Sequence, residues 1–180
     1  MSLVIVNIVA STRIRGSIDI ETLSQRLEHT EYNPEIFPGL VYRQTNHEPT
    51  IIMFASGKIS SHGARSEEQA RQAIATTVRR IEGMGCIIGS ADIDEIKMEN
   101  VVGSANLGCK IDLENVVKCL PTAIYKRRRF PGLIFRPFNN SVICLIFSTG
   151  KMVVAGGKSV SQVERVFLDT TNIIKSATEM

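Results

Sequence analysis

Apolar positions along this chain follow two periodicities, and the order in which they follow them occurs twice. Residues 3–12 (Leu-Val-Ile-Val-Asn-Ile-Val-Ala-Ser-Thr) are β-rich and end at a polar turn. Asp19 then precedes Ile20, Leu23 and Leu27 at helical spacing, and an aspartate there suits a helix N-cap. A turn rich in Asn, Pro and Gly is expected from Tyr32 to Gly39. Three short strands follow, near 40–45, 50–55 and 58–62, and Ser66 caps a longer helix near 67–82. Gly83, Gly85 and Gly89 mark a joint. After it, Asp112 opens a stretch with Leu113, Val116, Val117 and Leu120. Strands are expected near 133–138, 142–148 and 151–155, and Ser159 precedes a helix near 160–176.

The two passes are copies. Asn7 returns as Asn100, Phe37-Pro38-Gly39-Leu40 as Phe130-Pro131-Gly132-Leu133, and Phe54-x-x-Gly57-Lys58 as Phe147-x-x-Gly150-Lys151. Arg43 returns as Arg136 and Gly63 as Gly156, always 93 residues on. A constant offset means no net insertion between these landmarks. Such a long period suits a duplicated small domain, with repeats at 1–90 and 91–180, and not a solenoid or propeller. A site built twice around a pseudo-twofold axis is the expected consequence.

Strand, helix, strands, helix, written twice, is an α+β pattern with antiparallel pairing. Alternation along the strands puts Leu145, Phe147, Val153 and Ala155 on one face and Cys144, Ile146, Met152 and Val154 on the other. In the first copy Ile52 and Phe54 oppose Ile51, Met53 and Ile59. Both faces are apolar, yet helices can cover only one. The other is an apolar platform open to a partner, edged by Lys58 and Lys151. Cations around an apolar platform suit a nucleic-acid minor groove or a stacked polyanion.

Composition narrows the classes. The 180 residues carry a net charge of +3, which permits a polyanionic partner without demanding one. The excess lies wholly in residues 91–180, where twelve basic residues face nine acidic ones. No apolar run approaches the ~18 residues of a membrane span, and the N-terminus has no signal-peptide pattern. Cys86, Cys109, Cys119 and Cys144 form no Cys-x-x-Cys pair, so a reducing compartment is expected and neither a disulfide framework nor a metal site. No carboxylate pair, Ser/His/Asp set or metal cluster repeats at equivalent positions, which disfavours an enzyme; no cofactor is expected.

The paired Asn-[Ile/Val]-Val-[Ala/Gly]-Ser, Phe-Pro-Gly-Leu-[Val/Ile]-[Tyr/Phe]-Arg and Phe-x-[Ser/Thr]-Gly-Lys motifs resemble the core of the TATA-box-binding protein family, from about Val4 to about Ser176. The resemblance implies a saddle: a ten-stranded curved antiparallel sheet with four helices on its convex face. It implies a concave face that grips and bends A/T-rich double-stranded DNA through the minor groove. Phe37 with Phe54, and Phe130 with Phe147, would be wedges entering base steps, with Pro38 and Pro131 beside them. Asn7 and Asn100 would hydrogen-bond minor-groove acceptors. Val9 and Val102 would crowd out the guanine amino group, and Ile52, Leu145 and Val153 would extend the apolar footprint. Arg43, Arg136, Lys58, Lys151, Arg65 and Lys158 would contact phosphates, with Ser56 and Thr149 helping. The implied role is a general transcription factor that nucleates promoter assembly with a transcription factor B-like protein and, indirectly, RNA polymerase. Such a protein stays with the genome, in the nucleus for a eukaryotic or viral member or in the archaeal cytoplasm or nucleoid; the bare core resembles archaeal members.

This chain departs from the family in two places. The usual threonines at two central strand positions are His62 and Ala155 here, and Ser60 stands where Val153 keeps the usual valine. Central contacts should therefore be asymmetric. The second phenylalanine loop, typically acidic, is Lys126-Arg127-Arg128-Arg129, while the first carries Glu31 and Glu35. A partner could meet the reversed charge, dock on the acidic first loop, or leave the cations to DNA phosphates. Competing readings are a saddle-fold recognition module of the kind fused to nucleases and glycosylases, and a paralogue kept only for protein interaction. Arg71, Arg79 and Arg80 read as a solvated helix face, with a partner surface as the alternative. His29, His47 and the cysteines carry no site.

Overall fold

The computed structural model describes residues 2–43, 48–137 and 141–178, so His47 and the expected strand ends at 44–45 and 138 lie outside the described residues. The chain divides into two compact units, Asn7–Glu99 and Asn100–Met180 with Met1–Val6. In chain order the elements are β1 (Val4–Arg13), β2 (Ser17–Ile18), α1 (Ile20–Arg26), β3 (Thr30–Asn33), β4 (Phe37–Arg43), β5 (Thr50–Phe54), β6 (Lys58–Ala64), α2 (Glu67–Gly83) and β7 (Ile87–Ile88). They continue with β8 (Lys97–Asn106), α3 (Leu113–Cys119), β9 (Ile124–Tyr125), β10 (Gly132–Phe135), β11 (Ile143–Phe147), β12 (Lys151–Gly157) and α4 (Val160–Thr178). Ten strands lie in two antiparallel runs of five, β3-β4-β5-β6-β1 and β8-β12-β11-β10-β9, while β2 and β7 form a separate ribbon. The expected ten strands and four helices are all present.

In the first unit, Ile8, Ala10, Leu40, Ile51, Met53 and Ile59 point to one side and are fully buried. There α2 packs on β5 and β6 and contributes Ala70, Ile74 and Ile81. In the second unit, Val101, Leu133, Cys144, Ile146, Met152 and Val154 do the same beneath α4, which packs on β12 and α3. Among the described residues the opposite face of each unit carries no helix, as the doubled apolar alternation requires.

The helix starts follow the expected caps. Asp19 accepts from the Thr22 amide at 3.0 Å and from its hydroxyl at 2.7 Å, and those bonds hold its carboxyl below the usual carboxylate range. Asp112 accepts from Glu114 and Asn115. Ser66 accepts from the Gln69 amide at 3.0 Å, and Ser159 from that of Gln162 at 3.2 Å. Each capping glutamine reaches back to the residue before the cap, to the Arg65 amide at 2.8 Å and the Lys158 amide at 2.7 Å. These are close relatives of a capping box.

The turn expected from Tyr32 to Gly39 is mostly strand. Thr30–Asn33 pairs with β4, with Thr30 opposite Tyr42 and Asn33 opposite Phe37, and the chain turns only at 34–36. The Thr-Glu-Tyr-Asn stretch lacks apolar alternation because β3 is the last strand of its run and neither face is fully buried. The two-residue β9 ends the other run and was equally invisible. Edge strands are short and polar in many proteins, which limits unwanted pairing.

Candidate nucleic-acid interface

The two phenylalanine pairs meet on the open face. Phe37 and Phe54 have ring centroids 5.7 Å apart with planes at 71°; Phe130 and Phe147 repeat this at 5.8 Å and 63°. Both are edge-to-face contacts. Phe37 is 41 % exposed and the other three are half-buried. The strand register explains the glycine of each Phe-Pro-Gly. Gly39 lies opposite Phe54 and Gly132 opposite Phe147. A Cβ on Gly39 would sit 2.6 Å from the Phe37 ring and 3.0 Å from the Phe54 ring; one on Gly132 would sit 2.8 Å and 3.0 Å from Phe130 and Phe147. The glycine is the floor over which two rings fold. It is not a turn residue, and Gly39 lies inside β4. The hairpin glycines do turn the chain: Gly57 and Gly150 have φ of 82° and 89°, and their amides donate to the Phe54 and Phe147 carbonyls at 2.9 Å.

Two asparagines are clamped identically. Asn7 Oδ1 accepts from the Gly63 amide at 2.9 Å, and Asn100 Oδ1 from the Gly156 amide at 2.9 Å. A backbone N–H can only donate, so it is the oxygen of each amide that is tied down. The NH2 group, two donors, takes no hydrogen bond among the described residues. The glycines, at φ of 95° and 94°, sit where the strand register shifts between Ile8 and Val9 and between Val154 and Gly157. Such a bulge re-aims the strand, and its left-handed backbone favours glycine. Gly63 and Gly156 stood out in the sequence only as repeat landmarks; their role needs the register.

The remaining apolar candidates line up beside these groups. Val9, Ile52, Val102, Leu145 and Val153 are all half-buried on the open side. Val41 and Ile134 join them, opposite Ile52 and Leu145 in register. Sequence reasoning passed over both, although Leu40 and Tyr42 buried on either side of Val41 are the alternation that marks it. Ile36, 83 % exposed between Glu35 and Phe37, was also missed. Pro38 and Pro131 are exposed.

The polar rim is less uniform than expected. Lys58, Arg65, Arg136, Lys151 and Lys158 are exposed, with Ser56 and Thr149 in the hairpin turns. Arg13 donates to the Ser56 carbonyl at 2.9 Å, and the Thr149 hydroxyl accepts from the Lys151 amide at 3.5 Å. Arg43 does not stand free. Its guanidinium reaches Glu31 at 3.1 Å, a hydrogen bond that holds the Glu31 carboxyl below its ordinary range and pushes the guanidinium up. Glu31 therefore lies in an edge strand opposite Val41, paired, and not in the loop; Glu35 remains exposed in the turn. Arg136 has no such carboxylate among the described residues, and Ile124 stands where Glu31 would recur. Lys126, Arg127, Arg128 and Arg129 are all exposed around a turn in which the Lys126 carbonyl accepts from Arg129 and Phe130.

At the altered central positions Ser60 Oγ lies 3.0 Å from His62 Nε2. Burial pushes the His62 pKa below its usual value, so the ring is neutral at pH 7. Ala155 and Val153 hold the corresponding places in β12. The helix cations are only partly a solvated face. Arg79 is exposed, but Arg80 donates to the Tyr42 hydroxyl at 2.7 Å with its guanidinium over that ring, and Arg71 donates to the Ile96 carbonyl at 3.3 Å. No group of three or more metal-ligating side chains is found among the described residues.

The model of the family described as transcription factor TFIID (or TATA-binding protein, TBP) matches this chain twice, over residues 2–84 and 95–177. The chain belongs to the TATA-binding protein family. A TATA-box-binding protein of Methanocaldococcus jannaschii is 36% identical over 176 residues, covering 98% of this chain and 95% of its own. One from Archaeoglobus fulgidus is 40% identical over 155 residues, covering 85% and 84%. The solved structure of Methanococcus jannaschii TBP superposes with a TM-score of 0.85 at 36% identity, covering 98% of this chain and 99% of the other. Family membership and the fold expected from the sequence are thus shown together.

Proposed function

We propose that this protein is a general transcription factor that binds A/T-rich promoter DNA in the minor groove, bends it and nucleates assembly of the initiation complex, with no catalytic step of its own. The observation that carries this reading is the pair of edge-to-face phenylalanine contacts on the face without helices. Rings buried as core would lie on the helix side; these lie where only a partner can cover them. Bulky apolar side chains inserted between base steps unstack them and kink the duplex, at a few kcal/mol per step, and the widened groove then covers the sheet.

Within this reading Asn7 and Asn100 present their amide NH2 groups to acceptors on A·T pairs, and Val9, Val102, Ile52, Leu145 and Val153 fill the floor. Lys58, Lys151, Arg65, Lys158 and Arg136 meet phosphates, and Arg43 does so by exchanging Glu31 for a phosphate oxygen. That exchange is cheap, since an exposed ion pair is weakly held. The repeats 1–90 and 91–180 each serve half of the DNA site. A transcription factor B-like partner meets either the first loop, with Glu35 and the exposed Ile36, or the cations Lys126 to Arg129 if its own surface is acidic. The protein works beside the genome.

The test is end-to-end energy transfer on a doubly labelled A/T-rich duplex, titrated with the full chain, alone and with a factor B-like protein. Increased transfer on the A/T-rich duplex, absent on a G/C-rich control, supports the proposal. Binding without a change in transfer would show that the duplex is not bent, and absence of binding would remove the proposal entirely.

A further inference from the structure

We propose that Ser60 and His62 form an adaptable reader of base-pair edges, so that one half of the DNA site tolerates a guanine amino group that the other half excludes. This rests on the DNA-binding reading above.

The two residues sit two apart on β6, on the face without helices. In register His62 lies opposite Val9 and Thr50, and Ser60 opposite Ser11 and Ile52. The next residue, Gly63, is the one clamped by Asn7. His62 is thus beside the side chain expected to read bases. Ser60 is only 8 % exposed, and its hydroxyl holds one ring nitrogen of His62 at 3.0 Å. Among the described residues Nδ1 takes no partner.

A neutral imidazole has one donor and one acceptor nitrogen, and burial keeps this ring neutral at pH 7. If the Ser60 hydroxyl donates to Nε2, the ring proton is on Nδ1 and can donate to adenine N3 or thymine O2. If Nε2–H donates to the Ser60 oxygen, Nδ1 carries a lone pair and can accept from the guanine amino group. The hydroxyl both donates and accepts, so either tautomer keeps its hydrogen bond. The exchange needs one proton released to water and one taken from it. The guanine amino group is the feature that distinguishes G·C from A·T in the minor groove. A fixed donor such as a lysine, or an apolar side chain, rejects it; this pair accommodates it.

The other unit has no such device. Val153 and Ala155 occupy the equivalent places beside the Asn100–Gly156 clamp. An amino group buried against them loses its water and gains no acceptor, which is the costly case for any hydrogen-bonding group.

The experiment uses the full chain and an A/T-rich duplex in which 2,6-diaminopurine replaces adenine one position at a time. This base adds the minor-groove amino group, which also donates a third hydrogen bond to thymine O2, while keeping thymine as the partner and leaving the major-groove edge as it is. The expected profile is asymmetric. Central positions in one half weaken binding about tenfold, the cost of a typical wrong base pair, and the mirrored position in the other half weakens it less than about threefold. His62→Val should raise that tolerated position to about tenfold and leave the rest unchanged. The double change Val153→Ser with Ala155→His should extend tolerance to the second half, and it decides the matter if His62→Val fails to fold. A symmetric profile in the parent protein, or an asymmetric one that survives His62→Val, overturns the proposal. If the unmodified duplex is bound and bent but the profile is symmetric, only this inference falls; if it is not bound, the proposed function falls with it.

Discussion

Replacing Phe147 by alanine separates a wedge from a core residue, because the two roles differ in where the free energy is lost. Phe147 is half-buried, and its ring makes one edge-to-face contact with Phe130 at 5.8 Å. Such a pair is worth about 0.5–1.5 kcal/mol beyond the area it covers. Phe135, in the adjacent strand, is 3 % exposed, and truncating a buried phenylalanine costs ~3–5 kcal/mol through lost transfer and the cavity left behind. Half-burial of the ring adds roughly 1 kcal/mol more, so Phe147→Ala should lower stability by roughly 2 kcal/mol, a shift in Tm of about 4–8 °C for a chain of this size. Phe135→Ala should cost about twice as much. On DNA the order reverses. Phe147→Ala removes the group that fills an opened base step, worth a few kcal/mol, and should reduce bending sharply. Phe135→Ala should leave bending intact at temperatures where the protein is folded. Denaturant midpoints give the first pair of values, and energy transfer on a doubly labelled duplex gives the second. If Phe147→Ala destabilises as much as Phe135→Ala, or leaves the bend unchanged, the wedge assignment is wrong.

Changing Arg127, Arg128 and Arg129 together to glutamate distinguishes two uses of the exposed cations. If they meet phosphates, binary DNA affinity falls and its dependence on salt becomes shallower; if they meet a protein, only the ternary complex suffers, as like charges across an interface repel. Ser66→Ala removes the oxygen that accepts from the Gln69 amide and should cost about 1 kcal/mol in thermal or denaturant unfolding. Of the four cysteines, native alkylation read by mass spectrometry should label Cys109 and Cys119, which are exposed, and spare Cys86 and Cys144, which are buried; burial also pushes the Cys144 thiol up to about 11, leaving almost no thiolate at neutral pH. His62 titrates lower in the folded state than in the unfolded chain, so the unfolded state binds more protons below pH ~6.5 and stability should fall as pH drops through that region. His62→Val should remove that part of the pH dependence, while the contributions of Asp19 and Glu31, whose folded values are also lowered, are lost only at still lower pH.

How much of this protein can be read without coordinates is clearest residue by residue. The 93-residue offset, the caps Asp19, Asp112, Ser66 and Ser159, and the apolar alternation on both strand faces are local or periodic features, and they determined the duplicated α+β design and the existence of an open apolar face. Periodicity carries that much because a strand has only two faces and a helix one buried stripe. The edge strands Thr30–Asn33 and Ile124–Tyr125 stayed hidden, since partial exposure removes the alternation that would mark them. What only the tertiary structure decided are relations between residues far apart in the chain. Examples are the glycine beneath each ring pair, the Asn7–Gly63 and Asn100–Gly156 clamps that tie down the amide oxygens, the Arg43–Glu31 pair, and the tie between Tyr42 and Arg80. Each depends on strand register or on how a helix packs over the sheet. A sequence pattern says which face a side chain takes, but not what lies opposite it.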